Sequence, residues 1–170
     1  MMVNVRRHER RLLAGYRRDR PTDRIFPRYV SLANSSPPPW WTTHLAQDAW
    51  GEILGVHESY VGVREGALVI TERGVALLSS DGVVRWFAYT DVAGWERLSK
   101  EPLSQELVVR LGDGSTVALP FPGAGAFGFV QFLGSAKAEY EREARHKAAE
   151  AEVAAKSESH EHGDGGGSSG

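Results

Sequence analysis

The chain contains no cysteine, which excludes a disulfide framework, thiolate nucleophiles and cysteine metal ligands. It has no apolar run of the length that spans a bilayer, so no transmembrane helix is expected. The arginine-rich start has no apolar stretch of signal-peptide length behind it. No serine lies in a nucleophile-elbow sequence. Of His8, His44, His57, His146, His160 and His162, only His160-Glu161-His162 forms a cluster. That cluster sits in a glycine-rich tail without the three or four fixed ligands that a metal site needs. Glu65, Glu72, Asp81, Asp91 and Asp113 fall at turn positions, where short acidic residues are common for backbone reasons. No catalytic residue, metal site or cofactor site is assigned, and the expectation is a protein that is not an enzyme and uses no cofactor.

What is present is ordinary in amount and uneven in placement. The hydrophobic content of 41% and charged content of 25% in 170 residues fit one globular domain with tails. The net charge of −2 is segregated: residues 1–28 carry +6, residues 29–136 carry −5 and residues 137–170 carry −3. A basic arm on an acidic body suggests docking of arm on body or an anionic external partner. A solvated leader is the other reading. Arg6, Arg7, Arg10, Arg11, Arg17 and Arg18 are the candidate contacts to anionic lipid.

Along the chain, Val5, Leu12, Leu13 and Tyr16 give residues 1–20 a thin helical stripe, ended by Gly15 and Pro21. SLANSSPPPWW at 31–41 reads as an extended linker, because three prolines enter neither a helix nor a central strand. Trp40 and Trp41 are costly to leave in water, and they are the candidate docking aromatics. Strands are expected at 52–63, 67–71, 75–79, 83–88, 92–98, 106–111 and 116–120. Asp81-Gly82 and Asp113-Gly114 supply hairpin turns. Phe129, Phe132, Leu133, Ala136 and Tyr140 then form one continuous helical stripe, suited to closing an open end of the sheet. Beyond Tyr140 the helix-forming sequence has almost no apolar face and is expected to project into solvent. The division expected is an arm and linker at 1–50, a folded domain at 51–142, and a charged extension with a glycine-rich tail at 143–170.

Gly123-Ala124-Gly125-Ala126-Phe127-Gly128 matches the dinucleotide fingerprint literally. The strands before it come in hairpins and no parallel strand can follow the helix, so it reads as a flexible corner. Trp50, Trp86 and Trp95 read as fillers of the core or of its seam with the N-terminal segment. The acidic body argues against an aromatic platform for nucleic acid.

The stretch from Gly51 to Trp95 resembles the start of a GRAM or bacterial pleckstrin-homology-like domain. The resemblance rests on Thr71-Glu72-Arg73-Gly74 before an apolar strand, and on Tyr89-Thr90-Asp91-Val92 before the next. It covers residues 51–142 and implies a mainly β fold: a seven-stranded curled sheet or barrel capped by one C-terminal helix, here with an irregular or partly helical N-terminal arm. It also implies a cytoplasmic binding module for proteins, for lipid headgroups or for self-assembly. Members that bind phosphoinositides carry a basic cluster after the first strand, whereas the matching loop here offers Arg64 beside Glu65. The reading is therefore an interaction module for a protein partner or for itself. The alternative is a peripheral module at the inner membrane face, held by the arginine-rich arm.

Overall fold

The computed structural model describes residues 3–15, 19–22, 24, 26, 28–41, 48–123 and 125–161. Among these residues eight strands form two antiparallel sheets. In the first, β1 (Tyr29–Ser31), β2 (Ile53–His57), β3 (Leu68–Thr71), β4 (Gly74–Leu78) and β5 (Val83–Ala88) lie side by side in chain order. In the second, β6 (Val92–Trp95), β7 (Glu106–Leu111) and β8 (Thr116–Pro120) do the same. A short helix α1 (Val5–His8), continued by a wider turn over Glu9–Leu13, precedes the strands, and α2 (Ala126–Glu161) follows them.

Three expectations need correction. Among the described residues the strands number eight, because Tyr29–Ser31 adds to β2 in the register Tyr29↔His57 and Ser31↔Gly55. The sheets do not close into a barrel, since no ladder joins them among the described residues. The expected first strand is also shorter: β2 stops at His57, and residues 58–66 form a loop.

The turns follow from their residues. Ser79 donates its amide to the Gly82 carbonyl and its hydroxyl to Asp81, closing the β4–β5 hairpin. In the β7–β8 hairpin Gly114 has φ +86°, a conformation that costs glycine little. Asp113 there accepts from the Ser115 hydroxyl and amide, which hold its carboxyl below the usual range.

The resemblance motifs turn out to be one interaction. Thr71 Oγ1 donates to the Gly74 carbonyl and accepts the amides of Gly74 and Arg73. A side chain on Gly74 would strike the Phe87 carbonyl, so β4 and β5 approach closely only with glycine there. Asp91 accepts the Ala88 amide at 3.0 Å, and this turn aims Tyr89 inward. The fully buried Tyr89 hydroxyl donates to the Thr71 carbonyl at 2.8 Å. Burial pushes its pKa well up, so it remains a donor. Tyr140 of α2 donates to the next carbonyl, Glu72, also at 2.8 Å.

The five-stranded sheet is buried on both faces. Its inner face packs on α2, the second sheet and the arm, with Leu68, Ile70, Val75, Phe87, Leu107, Phe129 and Phe132 in one core. Its outer face carries Val56, Val69, Ala76 and Leu78, covered by Trp50 with Trp40, Trp41 and Trp86. Trp50 stacks on Trp86 with ring centroids 5.2 Å apart. Burial on both sides explains why β3 is apolar without a break from Leu68 to Ile70.

The arm belongs to the inner core. Asn4 caps α1 by accepting the Arg7 amide. Val5 and Leu13 are buried, and Glu9 accepts the Tyr29 hydroxyl at 2.7 Å inside the protein. His8 bonds Glu139 at 2.9 Å, and Arg6 pairs with Glu52. The stripe of α2 is buried from Ala126 to Ala136, and past Tyr140 the helix is largely exposed.

Tyr89→Phe keeps the ring and strands the buried Thr71 carbonyl. We expect a stability loss of about 1–3 kcal/mol in urea unfolding, with no loss of secondary structure. A variant as stable as the parent would show that Tyr89 acts by packing alone.

Candidate functional site

The loop after β2 is rigid at its base and apolar at its tip. Glu58 is buried, and its Oε1 accepts the Gly62 amide at 3.1 Å and the Trp40 indole N–H at 2.7 Å. Ser59 is fully buried, its hydroxyl 2.8 Å from the Gly66 carbonyl and 3.2 Å from that of Pro120. Arg28 donates to the carbonyls of Ser59 and Pro122, fastening the loop to the end of β8. The Val63 amide closes a turn on the Tyr60 carbonyl at 3.0 Å. Gly62 and Gly66 both have φ +75°, and this lets the chain reverse at each side of Val63. These bonds leave Tyr60 58%, Val61 78% and Val63 42% exposed.

The same end of the protein carries two more exposed apolar groups, Leu103 and Phe127. They connect to the loop through β8 and Gln105. The Phe121 amide donates to the Gln105 carbonyl, the Gly123 amide to Gln105 Oε1, and Gln105 Nε2 to the Leu103 carbonyl. Lys100 lies 5.7 Å from the centre of the Phe127 ring. Apolar side chains held exposed by a fixed backbone are what a docking surface needs, because little order is lost on binding.

His57 stands at the foot of this loop. Its ring meets Phe26 edge-on at 5.8 Å and Phe121 at 5.2 Å, and its buried Nδ1 has no partner among the described residues. Burial, and then the nearby Arg28 charge, lower its pKa from 6.5 to about 4.

The sequence-derived candidates are spread over several places. Trp40 and Trp41 are half-buried on the outer-face core, with ring centroids 6.0 Å apart, and Trp40 reaches the loop through Glu58. Arg6 is paired with Glu52. Arg7, Arg10 and Arg11 share the solvent face of the arm, with no acidic partner among the described residues. Arg17 and Arg18 lie outside the described residues. The arm's anchor Glu52 and the loop's base Glu58 are separated by the length of β2, about 20 Å.

Tyr60, Val61 and Val63 were not among the candidates, since alternation placed them on a strand. Glu58-Ser59 and Gly62 carried the missing turn signal. In the fingerprint-like corner, Gly123 and Gly125 have φ +86° and +117°, and a side chain on Gly125 would come within 3.1 Å of Phe26. Those glycines serve backbone reversal and close packing. Among the described residues no group of three or more acidic or histidine side chains is placed to hold a metal ion, and no helix is long and apolar enough to cross a membrane.

Neutral His57 is the form the fold accepts. Its stabilising effect is complete above pH 6.5 and is lost as pH falls towards about 4. Relative to His57→Phe, the parent should lose up to about 3 kcal/mol across that window. Parallel pH–stability curves for the two would show that His57 gains its proton without cost.

Compared with family models, with curated proteins and with solved structures, the chain matches none.

Proposed function

We propose that the chain is a non-enzymatic interaction module on a pleckstrin-homology-like scaffold of the GRAM kind, binding a protein partner or a second copy of itself. The scaffold reading is supported by the seven strands after residue 51, split four and three, with one helix after them. It is supported too by the hydrogen bond that ties the Thr71-x-x-Gly74 turn to Tyr89. The observation that carries the functional reading is the fixed loop presenting Tyr60, Val61 and Val63 to solvent. A convex apolar tip fits a groove on a protein partner. The net charge of −5 on residues 29–136 opposes an anionic lipid surface.

Val61→Asp tests this reading, because Val61 is too exposed to support the core. Melting should stay within about 0.5 kcal/mol of the parent, while affinity for a partner cross-linked from position 61 falls at least about tenfold. Unchanged affinity in Val61→Asp and in Val63→Asp would sink the assignment.

A second reading is favoured by Arg7, Arg10 and Arg11 on the open face of the arm: a peripheral module at the cytoplasmic membrane face. Each such residue is worth about 1 kcal/mol near anionic lipid. Co-sedimentation with anionic vesicles should then vanish at high salt and in the triple Glu variant. Absence of binding at low salt would remove this reading.

A further inference from the structure

The loop between β6 and β7 is closed on itself. The Ser99 amide donates to Ser104 Oγ at 2.7 Å, the Ser104 amide donates to the Ser99 carbonyl at 2.9 Å, and Lys100 bridges to Leu103 across the turn. Leu98 packs on the main core, and Trp95 before it lies against α2 at Gly134, so the loop is held beside the helix. Between this loop and the first turn of α2 is a hollow of about 440 Å³, lined by Arg97, Leu98, Ser99, Lys100 and Phe127.

Six basic side chains fall within residues 29–136. Arg64, Arg73 and Arg110 each donate to a backbone carbonyl, and Arg85 meets Ser115 and Asp113. Arg97 and Lys100 have neither a hydrogen bond nor an ion pair among the described residues, and both line the hollow. Glu96 and Glu101 of the same loop are not part of its lining. Lys100 Nζ stands 5.7 Å from the centre of the Phe127 ring, whose face steadies the ammonium without neutralising it. Phe127 is 37% exposed, and Leu98 continues the apolar wall. Two unpaired cations and an open apolar surface thus share one fixed concavity.

We propose that this hollow docks an acidic peptide segment, one in which carboxylates flank a bulky apolar side chain. The apolar side chain lies against Phe127 and Leu98, and the carboxylates meet Arg97 and Lys100 in charge-assisted bonds. Charge selects this occupant. Residues 29–136 carry −5 in total, so a nucleic acid or an anionic membrane is repelled wherever it extends past these two cations. A short acidic segment meets the cations alone. A bare anion would satisfy the charges and leave Phe127 and Leu98 in water, whereas a peptide carries both kinds of group. The inference rests on the reading of the chain as a protein-binding module and adds the chemistry of the partner. It does not rest on the loop tip, since Tyr60, Val61 and Val63 do not line the hollow.

The experiment is selection from a random peptide library displayed on phage, with the full chain as bait, followed by fluorescence anisotropy of the selected peptides. These should be enriched in Asp and Glu beside Phe, Leu or Trp. Their affinity should fall at least about tenfold when Arg97→Glu is combined with Lys100→Glu, and should fall in Phe127→Ala. Lys100→Arg keeps the cation and should keep binding. Arg97 and Lys100 are exposed, so circular dichroism of the double variant should match the parent. Val61→Asp should bind the same peptides as the parent does. Three results would overturn the proposal: no peptide selected above background, selected peptides without acidic enrichment, or acidic peptides that the double variant binds as tightly as the parent. In the second and third cases the chain still binds peptide, so the hollow would fall while the protein-binding reading stood.

Discussion

Everything in this architecture depends on how the first sheet is joined to the second at one corner. There the chain leaves β5, turns through Tyr89–Asp91 and enters β6. The corner is fixed by a buried hydroxyl: the Tyr89 O–H donates a hydrogen bond to the Thr71 carbonyl at the far end of β3. That carbonyl belongs to a turn already closed by Thr71 Oγ1 and by the side-chain-free Gly74. An unpaired polar group in such a place costs more than a paired one contributes, so the angle between the sheets is specified by polar groups that have no alternative partners. Tyr140 repeats the device one residue on, at Glu72, and so sets how far α2 lies on the body. The two tyrosines pack together at 6.1 Å and make one aromatic clamp on one turn.

The second constraint is that the first sheet has two apolar faces. A sheet of this kind normally packs one face and wets the other. Here Val56, Val69, Ala76 and Leu78 require a cover, and the tryptophans of the N-terminal half provide it. The linker and arm are thereby committed to the fold before any question of a partner arises. Val5, Leu13 and Tyr29 sit in the main core, and Arg6 and His8 are engaged with Glu52 and Glu139. Of the basic side chains described on α1 and its continuation, Arg7, Arg10 and Arg11 are the ones left facing water. Covering the outer face also supplies Trp40 to Glu58, and through Glu58 it stiffens the loop.

How much of this could be read in the sequence follows from the range of the forces involved. The hairpins at Asp81-Gly82 and Asp113-Gly114 and the stripe from Phe129 to Tyr140 are local, because turn chemistry and helical period act within a few residues. They are found where the sequence puts them. β1 was not legible. Three residues, Tyr29–Ser31, carry no pattern of their own and become a strand through the exposed side of β2. The loop at Tyr60–Val63 was hidden for the opposite reason. Its apolar residues continue the alternation of β2, and the signal that breaks it is Glu58, whose partners lie at Trp40 and Gly62. A carboxylate that folds a loop by reaching an indole eighteen residues away leaves no trace in a local window.

Geometry then limits what the exposed surfaces can do together. Arg6 holds the arm at Glu52, and the apolar loop begins at Glu58, with the whole of β2 between them. That separation of about 20 Å is more than twice the screening length of about 8 Å at physiological ionic strength. The arm and the apolar loop are thus anchored near the two ends of β2, through Arg6 and through Glu58. The loop presents apolar side chains on an acidic body. The arm presents Arg7, Arg10 and Arg11 to solvent. The two surfaces differ in chemistry, and each is held by bonds within the fold, the arm through Arg6 and Glu52 and the loop through Glu58.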